Sequence, residues 1–213
     1  FKQVAYRTAL GIGTRYNDDV WGGEVTLFYI DFSDELQYVS NDVGWTNLGA
    51  TKHTGIETSA HYDLSNLDPR LAGLAANAGF TYTKATAEGD VAFKGRDLPL
   101  YSRQVATLGL RYTVNHWTHN LDAYAQSGQR APGTTSTYIT QPTADGQYGD
   151  IPGYVSVNVR SGYDFGAQLS NLKLGVGVKN LFDQQHYTRS SDNNSGIYLG
   201  EPRTFFVQAS VGF

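Results

Sequence analysis

The amino-acid sequence predicts an all-β fold, an antiparallel transmembrane β-barrel, and three observations carry that expectation. Nine runs alternate apolar and polar residues with the period of a strand, the connections between them alternate short and long, and the charges of the fifth, seventh and eighth runs fall on the face opposite their apolar residues. No amphipathic helix of useful length competes.

The runs are 3 to 15, 22 to 34, 50 to 63, 76 to 87, 104 to 114, 117 to 128, 152 to 165, 171 to 183 and 203 to 213. Each reaches or exceeds the roughly 9 to 11 residues that cross a bilayer at a tilt. In the third run Ala60, Tyr62 and Leu64 oppose His61 and Asp63, and in the fifth Leu108, Leu110 and Tyr112 oppose Thr107, Gly109 and Arg111. In the seventh Val155, Val157 and Val159 alternate with Ser156, Asn158 and Arg160, and in the eighth Leu172, Leu174, Val176 and Val178 alternate with Lys173, Gly175, Gly177 and Lys179. The last run puts Phe205, Val207, Ala209, Val211 and Phe213 on one face, with Gln208, Ser210 and Gly212 on the other beside Phe206. An Arg or Lys facing lipid at mid-bilayer costs about 2 to 4 kcal/mol, so consistent placement of charge on one face has a physical cause. Trp21, Phe32, Trp117, Tyr163, Phe165 and Phe213 stand near run ends, where aromatic girdles form.

The short connections are 17 to 21, 115 to 116 and 166 to 170, with a medium one at 65 to 73; the long ones are 35 to 49, 88 to 103, 129 to 151 and 184 to 202. Outer-membrane barrels alternate tight periplasmic turns with long extracellular loops, whereas a soluble sandwich has no reason to. If the short turns are periplasmic, the last run descends and Phe213 ends in the periplasm, while Phe1 starts outside. Single-chain barrels have even strand numbers, so the nine runs are expected to be part of a larger barrel, with an odd number of strands before Phe1.

Composition agrees. The chain has 24 Gly, 15 Tyr and 10 Phe but only 6 Pro, no Cys and no Met, and its apolar share is 40%. No stretch approaches the roughly 20 continuous apolar residues of a spanning helix, which excludes a helical membrane protein, and a mean hydropathy of -0.39 is no argument against a barrel, whose strands are only half apolar. Without Cys there are no disulfides or thiolate metal sites. A net charge of -4, with Lys and Arg scattered, gives no footprint for nucleic acid. The chain opens at Phe1 without Met or an apolar leader, as expected of a piece of a longer protein.

The run Gly175-Val176-Gly177-Val178-Lys179 continues into Asn180-Leu181-Phe182-Asp183, and Gly200-Glu201-Pro202-Arg203 opens the last strand. With Gly13 to Tyr16, Thr26 to Phe32 and Gly55 to Thr58, these segments resemble the TonB-dependent receptors of the Gram-negative outer membrane along the whole chain. Lys52 to Thr58, Asp183 to Gln185 and Arg189 to Tyr198 look most like ferric citrate receptors. The resemblance implies that residues 1 to 213 are the C-terminal part of a barrel of about 22 strands. The family's plug domain and remaining strands lie outside this stretch. It also implies a multi-pass outer-membrane location, with membrane lipid, the TonB complex acting through the plug, and the barrel assembly machinery as partners. Phe205, Val207, Ala209, Val211 and Phe213 would be the C-terminal assembly signal.

A ferric dicitrate complex is anionic and rich in carboxylates, which the Arg fork meets bidentately and amides meet as neutral donors. The candidate ligand contacts are therefore Gln37, Tyr38, Arg96, Arg103, Gln129, Arg130 and Arg189, with Gln37 favoured. Arg111, Arg160, Lys173 and Lys179 are expected to contact the plug or pair with acids across strands. The five His make no metal site, because His116 and His119 point apart in extended chain and His53, His61 and His186 are isolated. No resident cofactor is expected; the ferric siderophore is cargo. There is no Gly-x-Ser-x-Gly elbow, and Gly11-Ile12-Gly13 lacks the third Gly of a nucleotide fingerprint, so an enzyme is not expected. The competing readings are a receptor for another iron chelator or haem, an outer-membrane barrel enzyme, and a soluble β-sandwich binding module.

Overall fold

The computed structural model describes residues 7–40, 44–89, 94–131, 149–190 and 197–212, excepting the side chains of 34–40, 44–48, 168, 189, 190 and 197. Phe213, at the end of the expected assembly signal, lies outside the described residues. In chain order the strands are β1 (Arg7–Asn17), β2 (Trp21–Ser40), β3 (Gly44–Asp63), β4 (Leu74–Ala87), β5 (Gln104–Val114), β6 (Trp117–Gln126), β7 (Gln129–Arg130), β8 (Asp150–Ile151), β9 (Tyr154–Asp164), β10 (Lys173–Lys179), β11 (Tyr187–Ser190), β12 (Ile197–Leu199) and β13 (Thr204–Ser210). Nine of them form one sheet in the order β1-β2-β3-β4-β5-β6-β9-β10-β13, antiparallel throughout, with β7 pairing β8 and β11 pairing β12 in two small ribbons. The nine expected strands are these nine. Among the described residues β1 and β13 each have one neighbour, so the sheet is a partial barrel.

Register puts the apolar positions on one face. Val178 lies opposite Val159, which faces Leu121, then Leu110, Ala76, Tyr62 and Trp21 on successive strands. These side chains stay open: Ile12 is 74% and Val207 79% exposed, far more apolar surface than a soluble sheet leaves uncovered. At the short-turn end Tyr16 packs on Trp21 with ring centroids 4.5 Å apart, and Trp117, Tyr163 and Phe165 form a chain of edge contacts at 4.9 and 4.7 Å. One expected girdle residue belongs elsewhere. Phe32 lies on the opposite parity, facing Thr51 and meeting His53 edge-on at 5.5 Å, so it lines the polar side.

From β5 to β13 the acidic, Lys and Arg side chains lie on the polar face. Lys173 pairs with Asp164 at 2.8 Å, Lys179 with Glu201 at 3.2 Å, and Arg15 with Glu24. Arg111, Asn120 and Arg160 share a row on β5, β6 and β9. Phe206, the one large apolar residue on this side of β13, folds over Gly177; a Cβ there would sit 2.5 Å from the ring and 2.7 Å from the Val159 carbonyl, so no larger residue fits.

The 35–49 connection is not the loop that alternation suggests. β2 and β3 run on as a ladder through Leu36↔Asn47, Gln37↔Thr46 and Tyr38↔Trp45, beyond register shifts between Phe32 and Glu35. A bulge inserts an extra residue and breaks the two-residue period, which is why the pattern stops at the bulge while the pairing continues. β10 ends sooner than the expected 183, because Asn180 and Asp183 take left-handed backbone at φ 47 and 53.

The turns at the short end are held locally. In the 18–20 turn the Asp18 carboxylate accepts from the Trp21 and Val20 amides at 2.8 Å and from the Tyr16 hydroxyl at 2.7 Å. These bonds, the Trp21 amide first, favour the ionised form and hold its pKa below the usual range. A lowered folded pKa stabilises the turn above about pH 4 and loses that contribution as pH falls through the depressed value. The Trp21 amide resonance of the folded protein is expected to shift with an acid midpoint below about 4, and Asp18→Asn to abolish that titration. A midpoint at or above the ordinary aspartate value contradicts it.

Candidate functional site

The long connections meet at the opposite end of the strands. Residues 94–103 lie along β4 above the point where β5 leaves it: Ala87 donates to Arg96 O at 2.9 Å, Leu98 to Ala85 O at 2.9 Å, and Thr83 to Arg103 O at 2.8 Å. This buries Leu98 with Ala85 and Ala87 in one apolar cluster. His53, buried, sits between Phe32 and Tyr101, the latter 5.3 Å away.

Two further hydrogen bonds tie three connections together. Leu100 N donates to Arg130 O at 2.8 Å, linking 88–103 to the 127–153 connection. Gln129 Nε2 donates to Thr188 O at 2.7 Å, linking that one to 184–202. The fold thus gathers Arg96, Gln129 and Arg130. Arg96 Nη2 is shut off from solvent, and burial, then the nearby Arg130 cation, pulls the Arg96 guanidinium below its ordinary pKa range.

The other candidates fall differently. Arg103 donates to Asp97 at 2.6 Å, which raises its pKa and leaves its fork partly engaged. Arg130 reaches Asp150 at 3.9 Å across an exposed, weak ion pair. Gln37 and Tyr38 lie on the extended part of β2 and Arg189 on β11, but their side chains lie outside the described residues.

Sequence reasoning missed an aromatic wall at this end. His186 stacks on Tyr154 with centroids 4.0 Å apart, Tyr154 lies 5.8 Å from Tyr124, and the Tyr124 hydroxyl donates to Gln126 Oε1 at 2.8 Å. Tyr154 shares parity with Ser156 and Asn158, the signal that it faces inward. Gly200 backs this wall, since a Cβ there would lie 2.0 Å from the His186 ring.

The motif residues interlock. Asn180, buried, donates through Nδ2 to the Gln184 and Glu201 carbonyls at 3.0 Å, accepts from Gln184 N at 2.9 Å, and gives its own N–H to Asn158 Oδ1 at 2.9 Å. Asp183 accepts from Arg203 N at 3.0 Å, with the Arg203 guanidinium 3.8 Å away. Leu181 N donates to Val157 O at 2.7 Å, and Phe182 points out. The segments 180–183 and 200–203 are thus two halves of one clasp that seats β13 on β10.

Residues 8–181 match the family model described as the β-barrel of TonB dependent receptor-like proteins. Among solved structures, the ferric citrate transporter FecA in its unliganded form is 37% identical, with a TM-score of 0.85, over 96% of this chain and 31% of that one. The metal-pseudopaline receptor CntO of Pseudomonas aeruginosa is 26% identical over 79% of this chain and 22% of its own length. The catecholate siderophore receptor Fiu of Escherichia coli K12 is 26% identical over 88% and 23%. The chain therefore spans about a quarter of the length of the curated relatives it matches.

Proposed function

This chain belongs to the TonB-dependent receptor-like β-barrels, and from that premise we propose that it is the C-terminal barrel portion of an outer-membrane receptor that binds ferric citrate at its extracellular loops. Import to the periplasm would draw on TonB acting through the plug, with outer-membrane lipid around the strands, the assembly machinery engaging β13, and the C-terminus in the periplasm. The relatives are receptors and transporters, which supports transport over catalysis.

The observation that carries the ligand reading is the junction of three long connections around Arg96, Gln129 and Arg130, in a chain whose likeness to a ferric citrate transporter runs almost end to end. Guanidinium forks and an amide suit a carboxylate-rich anion that brings its own iron ligands. In this reading Gln37, Tyr38, Arg103 and Arg189 are further contacts as the loops close over the ligand.

Fluorescence titration of the intact receptor with ferric citrate, and separately with a ferric catecholate, tests it. Saturable quenching by ferric citrate is expected, and Arg130→Gln should weaken it about tenfold, the loss of one charge-assisted contact. No response to ferric citrate removes the reading. The Tyr124-Tyr154-His186 wall favours a second one, an aryl-bearing chelate stacked on the rings, which the catecholate arm of the titration detects.

A further inference from the structure

A depression of about 710 Å³ on the apolar face is lined by Leu110 and Leu121 on β5 and β6, Val159 on β9, Val176 on β10 and Val207 on β13. At its short-turn end stands a polar pair: Ser161 Oγ lies 2.9 Å from His119 Nδ1. The His119 ring is stacked between Trp117, at 5.8 Å and 5°, and Tyr112, at 6.1 Å and 19°. With the Ser161 hydroxyl donating to Nδ1, the Nε2–H is the free donor of the ring.

A hydrogen-bonded Ser–His pair on a face otherwise given to lipid contact needs a reason, since polar groups are costly in hydrocarbon. Among the outward positions of β5, β6, β9, β10 and β13, His119 is the one side chain able to carry positive charge, and no carboxylate shares the face. The face therefore complements an anion, and the apolar depression beside it complements a hydrocarbon chain. We propose that this is a phospholipid site: the phosphate of an anionic phospholipid in the leaflet at the short-turn end accepts from His119 Nε2–H, in the tautomer that the Ser161 hydroxyl fixes, and one acyl chain lies along Leu110, Leu121, Val159 and Val176. Trp117 and Tyr112 fence the headgroup at the interface, where such rings settle. The inference rests on the membrane reading above.

The test is native mass spectrometry of the intact receptor, released from detergent after titration with phosphatidylglycerol or phosphatidylcholine. One phosphatidylglycerol is expected to remain bound, with phosphatidylcholine and the His119→Leu and Ser161→Ala variants each weaker by about tenfold or more. Val176→Trp, which fills the depression and keeps the face apolar, should also lose the lipid. Equal retention of the two lipids, or variants that match wild type, overturns the site. Reconstitution into vesicles, read by heat-modifiable migration on gels, separates the failures: a receptor that does not insert refutes the membrane reading, and one that inserts without lipid preference refutes only this site.

Discussion

Replacing Asn180 by Ala should destabilise the folded intact receptor by about 3 to 5 kcal/mol, the largest effect of any single truncation expected in this chain. The buried side chain satisfies three partly buried backbone groups, two at Gln184 and one at Glu201. Each hydrogen bond contributes about 1 kcal/mol net, and a buried partner left unsatisfied costs about 1 to 3. Backbone adds to this, because Asn180 sits at φ 47, where Asn is tolerated and Ala pays about 1 to 2 kcal/mol. Asn180→Gly removes the bonds but not the backbone freedom, so it should recover about 1 kcal/mol of the loss. Urea unfolding in lipid vesicles measures both, and an Ala variant within about 1 kcal/mol of wild type would mean that the clasp does not hold β13.

The second large effect follows from the two faces of β10. Val176→Arg places a cation on the open apolar face and should cost about 2 to 4 kcal/mol in vesicles, whereas Gln208→Arg, on the opposite face of the neighbouring strand, should cost under about 1. The same unfolding experiment reads both variants. Similar costs at the two positions would mean that neither face contacts lipid.

The nine strands and their faces are legible in the sequence because a half-apolar strand writes its environment with a two-residue period, and inward Lys173 and Arg160 punctuate it. The alternating connection lengths are legible for the same reason, as gaps in that period. Legibility ends where the period is broken or absent. The β2–β3 ladder beyond Phe32 is hidden by a bulge, and Phe32 itself, an aromatic near a strand end, carries no mark that it turns inward toward His53. The motif 180–183 with 200–203 identifies a family by its letters, but nothing in the letters says that Asn180 is a buried node.

The candidate site is less legible still. That the connections carrying Arg96 and Arg130 are joined depends on the Leu100 to Arg130 bond, a contact between two connections with no periodicity to announce it. Arg103 looks equivalent to Arg96 in sequence, yet Asp97 engages it. The Tyr154-His186 stack joins a strand to a connection 32 positions on, read from the residue numbers, a separation that propensity and pattern do not reach.

The central claim is that one face of this sheet meets lipid and the other a water-filled or protein-filled lumen. Spin labels placed one at a time from 174 to 178 and from 205 to 209 in the intact receptor in vesicles test it most directly, by collision with oxygen, which concentrates in lipid, and with a water-soluble nickel chelate. Oxygen accessibility should peak at Leu174, Val176, Val178, Phe205, Val207 and Ala209 and fall at Gly175, Gly177, Phe206 and Gln208. A profile without that two-residue alternation, or with its phase inverted, would contradict the account.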